Sequence, residues 1–476
     1  MKKFLSLFLI VLFISAPLSA QQRNAPAANE VLIRNATVLT AARGRLEGTD
    51  ILIRGGKIAQ IGKNLRAGAN AQTIDATGKF VTPGIIDAHS HAAIDGSVNE
   101  GSYSVTSMTR VQDVVNPNDI NLYRALAGGV TALNILHGSA NSIGGQNATI
   151  KAKWRRPAQE LFVSDALPGI KFALGENPKR SHSTLLPGQT RRYPATRMGV
   201  EETIRDAFVR ARDYKAEWDD YREKSKRDRN LTSPRRDMEL EPLVEIMEGK
   251  RLVHAHGYRS DEFLQLLHLA DEFGFKVRTL QHGLEAYKIA PEIARHGAAV
   301  SIFVDNWGYK VEAFDAIPYN AAILHRNGVS VSINSDSSER HRRLNLEAAK
   351  TMKYGDVSEE EALKMITLNA ANQLGMGHRT GSIEVGKDAD IVIWSAHPFS
   401  PYAHAERTMI EGETYFSREQ DLQNRAALAA ERQTLERDEA NRPSTSPRAT
   451  QPAVPRERTK SNHDDHSDDI DGGNNK

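Results

Sequence analysis

The chain has no cysteine, so disulfides, thiolate metal ligands and a lipidated cysteine are all excluded. Aromatic residues make up only 6% of it, and none follows Phe416, which leaves the segment beyond without the means to bury an apolar core. Charge of one sign is also lacking. Sixty-two Lys and Arg face 60 Asp and Glu, and a formal charge of +2 gives no global field to draw in nucleic acid or an anionic membrane. Long hydrophobic runs are scarce too. The apolar run Phe4–Ile14 is too short to span a bilayer. Set behind Lys2 and Lys3 and before Ser15-Ala-Pro-Leu-Ser-Ala20, it reads as a secretory signal over residues 1–20, cleaved after Ala20. A periplasmic or secreted protein with no stable membrane anchor is expected, and no internal repeat is evident.

What is present fits one large domain and a smaller one: 476 residues, 39% of them hydrophobic. Val31–Thr40 and Ile51–Ile61 are β-branched runs, the second broken by Gly55-Gly56, and read as hairpins. The stretch Val81-Thr-Pro-Gly-Ile-Ile-Asp-Ala-His-Ser-His91 follows. Strand side chains alternate faces, so His89 and His91 point the same way as a two-nitrogen metal clamp. Further runs end in polar residues: Gly128–Leu136 before His137, Ala148–Trp154, Gly169-Ile-Lys171 through Glu176, Arg251-Leu-Val-His254-Ala-His256, Arg278–His282, Ala299–Val304, and Gly328 through Asp336. The Gly-rich Ser142–Gln146 reads as a loop, and Val200–Tyr221 as a solvated amphipathic helix.

The run P-G-I-I-D-A-H-S-H resembles the first barrel strand of the amidohydrolase superfamily, in its imidazolonepropionase-like and prolidase-like branch. The resemblance implies an α/β fold, a distorted (β/α)8 TIM-like barrel with a small composite β-sandwich formed by N- and C-terminal segments. On that reading residues 31–80 and 376–416 are the two parts of the sandwich, and Gly381–Trp394 matches its second half. Residues 81–375 form the barrel, with a charged helical insertion near 199–248. Residues 417–476 make a polar tail, with helix conceivable only to about 440 and disorder expected beyond; there His463-Asp-Asp-His466 reads as a solvated end.

In (β/α)8 barrels the active site lies at the C-terminal strand ends. The resemblance assigns His89, His91, Lys171, His254, His282 and Asp336 as metal ligands, with His256 a rival to His254. Lys171 resembles a lysine that is carboxylated to bridge two metals, and Glu176 is the alternative at that position. Glu176, His256 and His137 are otherwise candidates for substrate contact. One or two divalent ions are implied, zinc being the expected one. Metal-activated water would cleave a C–N bond, with Asp336 as proton shuttle. Deaminase-like relatives carry a glutamate where this chain has Gly257. That departure favours a linear amide, a small molecule or short peptide. A cyclic-amide hydrolase or deaminase, and a non-catalytic barrel, are the alternatives; homo-oligomerisation stays open.

Overall fold

The structure, a computed structural model, describes residues 30–180, 192–306 and 308–441. The expected signal and the His463–His466 segment lie outside the described residues. The chain opens with β1 (Val31–Leu39), β2 (Arg45–Arg54), β3 (Lys57–Gly62), β4 (Gln72–Asp75) and β5 (Phe80–Pro83). Gly55 and Gly56 take φ of 56° and 78°, the left-handed pair that lets a two-residue turn return β2 into antiparallel β3. After β5 the chain leaves this sheet at Gly84. A Cβ there would stand 2.0 Å from Thr131 Oγ1, so only glycine allows the two strands to pass this close.

The strands that carry the polar ends follow: β6 (Ile85–Ser90), β7 (Val130–Ile135), β8 (Ile143–Gln146), β9 (Ala148–Lys151), β10 (Gly169–Ala173), β11 (Leu252–Gly257), β12 (Val277–His282), β13 (Ala299–Ile302) and β14 (Val331–Ile333). They form two sheets, β6-β7-β9 and β14-β13-β12-β11-β10-β8. β10 to β14 run parallel, with helices Ser260–Phe273, Ala290–His296 and Asn320–Arg326 between successive strands, as the alternation of strand and helix predicts. At one seam the two sheets share a single run of chain, since only Asn147 separates β8 from β9. At the other, the Asp336 amide donates to the His89 carbonyl at 3.1 Å and ties the loop after β14 to the end of β6.

Two expectations change here. The third polar-ended strand stops at Lys151 and runs antiparallel to β7. The connection from β7 carries a strand in place of a helix, so the chain returns beside β7 without the crossover that parallel pairing needs. That strand is β8, antiparallel to β10, where the sequence suggested a glycine loop.

The far end of the chain supplies β15 (Ile391–Trp394), β16 (Ala405–Ile410) and β17 (Glu413–Ser417) to the first sheet, in the order β17-β16-β15-β5-β1-β2-β3 with β4 beside β1. N- and C-terminal segments thus pair in one eight-stranded sheet. Trp394 Nε1 donates to Thr82 Oγ1 at 2.9 Å across the join. Ile33, Val38, Ile51, Ile53, Val81 and Ile391 belong to a core of this sheet's own.

The charged insertion contains helices Arg197–Ser225 and Glu241–Met247. As the amphipathic pattern predicts, the first half of the long helix buries Val200, Ile204, Phe208 and Ala211, with Phe208 stacked on Phe275 at 4.6 Å. The polar segment after β17 is helical over Arg418–Ala440 and almost wholly exposed. No helix among the described residues is long and apolar enough to cross a membrane.

Candidate metal centre

The strand ends of β6, β10, β11, β12 and β14 converge on one buried group. His89, His282 and Asp336 each offer a ligand atom within 4.8 Å of the others. Asp336 is the hub. Its Oδ1 stands 3.4 Å from His89 Nε2 and 3.2 Å from His91 Nε2, and its Oδ2 stands 3.8 Å from His282 Nε2. Lys171 is fully buried, with Nζ 3.3 Å from His89 Nε2 and 3.1 Å from the His137 carbonyl.

Local backbone explains how the strands deliver these groups. Gln281 and His282 are consecutive on β12, so a regular strand would aim them at opposite faces. Both nevertheless reach His89: Gln281 Oε1 accepts from His89 Nδ1 at 3.2 Å, and the His282 ring lies 4.6 Å from the His89 ring. A φ of 70° at His282 turns its side chain back to the site, and Asp336 is also left-handed, at 45°. Two non-glycine residues held there store backbone strain at the centre. Asp87, buried two residues before His89, holds the second of them in place. It accepts from the Ser335 amide at 3.0 Å and from the Ser335 hydroxyl, fixing the residue that precedes Asp336.

The donor set fits a divalent cation. Metal binding needs neutral imidazole and ionised carboxylate. Burial, then the Lys171 ammonium, holds His89 well below the usual histidine range. Burial opposes the charge on Asp336, but His89, His91 and His282 more than offset it and hold the carboxyl well below its ordinary value. Hydrogen bonds from Nδ1 to Gln281 and, at His91, to the Leu136 carbonyl at 2.8 Å leave each Nε2 turned to the centre. Both ring nitrogens of His256, like those of His254, are buried without a hydrogen-bond partner, and a metal on one nitrogen of His256 would relieve part of that cost.

The other candidates are placed as follows. The His256 ring lies 4.7 Å from the His282 ring. His254 pairs in register with Lys171 but lies deeper, against Gly169, where a Cβ would stand 3.0 Å from its ring. The structure therefore brings His256 into the cluster and leaves His254 below it. The His137 ring is engaged by backbone: Nε2 accepts from the Glu100 amide at 2.8 Å, and Nδ1 donates to the Gly138 carbonyl at 2.9 Å. Gly144 packs beneath it, since a Cβ there would stand 2.8 Å from Nδ1. Glu176 begins the short helix Glu176–Arg180, outside the three-residue group; burial first, and then the nearby Glu176, hold the Glu312 carboxyl above its ordinary value. Gln281 and the aromatic residues on His282 escaped sequence reasoning. Tyr258 stacks on His282 at 5.5 Å and Phe303 at 4.7 Å. The signal for Tyr258 was its place two residues after His256.

A cluster of this kind, at the ends of parallel strands in a mixed α/β fold, defines a metal-dependent hydrolase class. The family model for the amidohydrolase family matches residues 80–417, and the chain belongs to that family. The amidohydrolase tasK of Hapsidospora irregularis is 33% identical over 399 residues, covering 77% of this chain; the chain spans 40% of that protein's length. An imidazolonepropionase of Thermoplasma volcanium is 24% identical over 385 residues, covering 76% of this chain and 88% of that protein. Among solved structures, an amidohydrolase of Thermotoga maritima superposes with a TM-score of 0.74 at 36% identity, over 82% of this chain and all of its own. A prolidase complexed with N-methylphosphonate-L-proline shares the fold, at a TM-score of 0.52 and 20% identity.

Proposed function

We propose that this protein is a metal-dependent hydrolase that cleaves a linear C–N bond in a small amide or short peptide. The observation that carries the reading is the convergence of His89, His282 and Asp336 on one buried point, with His91, Lys171 and His256 around it. These residues would hold one or two divalent ions, zinc by the nitrogen-rich donor set. Such an ion supplies Lewis acidity and a water of near-neutral pKa. Asp336 takes the proton from the attacking water and passes it to the departing nitrogen, and its ionised state suits the first of these roles. Lys171, buried beside His89, would serve as a carboxylate ligand if its ammonium gave up a proton and the neutral amine then added carbon dioxide with release of a second proton. The composite sheet caps a barrel on this reading, and a leader over residues 1–20 directs the protein to the periplasm or beyond the cell.

Neither Arg259, three residues after His256, nor Gly257, three after His254, is a glutamate, so a deaminase or cyclic-amide hydrolase of the glutamate-bearing kind is disfavoured whichever histidine holds the metal. Rates on a panel of dipeptides and N-acyl amino acids, set against cyclic amides and aminated heterocycles, test the proposal. Turnover of the linear amides, lost on chelation and restored by zinc, is expected. Turnover confined to the cyclic or aminated compounds would overturn it.

A further inference from the structure

Beyond the metal cluster, two buried acids share one cation. Arg197 opens the long helix Arg197–Ser225, and its guanidinium donates to Glu262 Oε1 and, at 2.7 Å, to Glu312 Oε1. Glu262 lies in the first turn of helix Ser260–Phe273, which follows β11, and Glu312 in the 3-10 turn Val311–Ala313, which follows β13. The two residues are 6% and 3% exposed, and the second oxygen of each carboxylate is buried without a hydrogen-bond partner. A third loop meets them at Gly175, two residues past β10. Its φ is 74°, and a Cβ there would stand 2.7 Å from Glu312 Oε1 and 2.8 Å from Glu262 Oε2, so the two carboxylates flank one point that only glycine can occupy. The other charges around the pair are mixed. Lys310 Nζ lies 3.8 Å from Glu312 Oε2 and Glu176 stands near the same acid, while Arg259 and Asp261 stand near Glu262. Glu201, on the long helix, lines the same small cavity and is engaged by Arg205 at 3.3 Å.

We propose that Glu262, Glu312 and Arg197 form a proton-holding latch, which docks the insertion helix against the loops after β10, β11 and β13 and tightens as pH falls. Lys171 and His256 lie on two of those strands, so the latch sets the outer wall of the metal-bearing end. It stands apart from the hydrolase reading. Two carboxylates this close and this buried resist ionising together, because each disfavours charge on the other and burial disfavours charge on both. A proton on one of them leaves a single anion for Arg197 and supplies a donor to a pair that otherwise only accepts. Burial, then Glu312, push Glu262 up to about 7, although Arg197 and the N-terminus of its own helix favour the charge. The docked pair therefore keeps its proton up to about pH 7, whereas an exposed glutamate gives it up at 4.5. Docking is strongest below pH 4.5, weakens as pH rises through 7, and stays at the weaker level above it.

Amide hydrogen exchange on the full chain with zinc present, corrected for the intrinsic effect of pH, tests the latch. Protection of the helix start, Val200 to Ala211, is expected to rise about tenfold from pH 8 to pH 6 relative to the second half of the same helix. E262Q, neutral at every pH, should hold the high value at both, and E312Q, which removes the repulsion, should flatten the rise as well. R197M should lower protection at both pH values. Wild-type protection that stays level or falls in acid overturns the latch, as does the full rise in either glutamine variant or an unchanged helix start in R197M. If neither glutamine variant folds, carboxyl 13C NMR on wild-type protein labelled at glutamate decides. A glutamate that titrates near pH 7 upholds the held proton, and the absence of one overturns it.

Discussion

Two buried polar clusters in this molecule are satisfied in opposite ways. Lys151, with 3% of its side chain exposed, donates to Asp388, to Glu411 at 2.8 Å and to Asp390 at 3.3 Å, while Arg379 and Lys57 complete Asp388. Here β9 is bolted to the eight-stranded sheet, and the charges are matched from within the chain. Around Asp336 the matching is incomplete: His256 has two buried nitrogens without partners, and His282 and Asp336 carry left-handed backbone. A cluster paired from within the chain serves the fold. One left short of partners, and strained, is waiting for something to bind.

The largest expected difference between the two lies in activity. Asp336→Asn should lower kcat about a thousandfold with the thermal midpoint almost kept, as measured by steady-state rates beside calorimetry. Lys151→Met should do the reverse. Leaving Asp390 buried without its cation, while Asp388 keeps Arg379 and Lys57, should cost about 3 kcal/mol in a denaturant titration, with metal bound per folded chain unchanged. Ser335→Ala removes the hydroxyl that Asp87 holds and loosens the residue before Asp336. Metal affinity should fall about tenfold in a competition titration, with little loss of stability.

The smallest effect is on acid unfolding, where the buried histidines flanking the metal centre and the Lys151 network should separate by pH in the chelated protein. Burial lowers His254 to about 3 and His137 to about 4, from 6.5. Below pH 6.5 the unfolded chain therefore binds protons that the folded one refuses, and stability falls as pH drops from 6.5 towards 4. Burial opposes the charge of Asp388, but Lys151 and its other cations bring that carboxyl from 3.8 to about 2, so its contribution is complete above pH 3.8 and is lost as pH falls towards 2. Urea midpoints against pH should show both declines in the wild type. In Lys151→Met the lower one should shrink while the upper one stays.

Much of the site was legible because period two and strand-end position mark it locally. His89 and His91 declare themselves within three residues, and Asp336 ends a run of alternating Val, Ser and Ile. Pairing of the chain's two ends also showed, through the family resemblance of Gly381–Trp394, of which Ile391–Trp394 is the strand that pairs with β5. Register and strand direction did not show. That His256 and not His254 reaches His282 depends on how β11 slides against β12, where a bulge falls between Val253 and His254. Likewise the Lys151 network joins residues more than 230 positions apart, and no local pattern announces such a partnership. His137 looked available in sequence because its partners, the Glu100 amide and its neighbour's carbonyl, are backbone atoms that no side-chain pattern records.

The central claim is that the Asp336 cluster binds a divalent metal, and metal content per chain on protein purified without chelator tests it most directly. One or two equivalents are predicted in the wild type, with the value falling sharply in His89→Asn and unchanged in Lys151→Met per folded chain. Two equivalents would support carboxylated Lys171 as a bridge, which 13C NMR with labelled bicarbonate would then detect. A folded wild-type protein that takes up no metal, even with zinc or manganese added, would contradict the account.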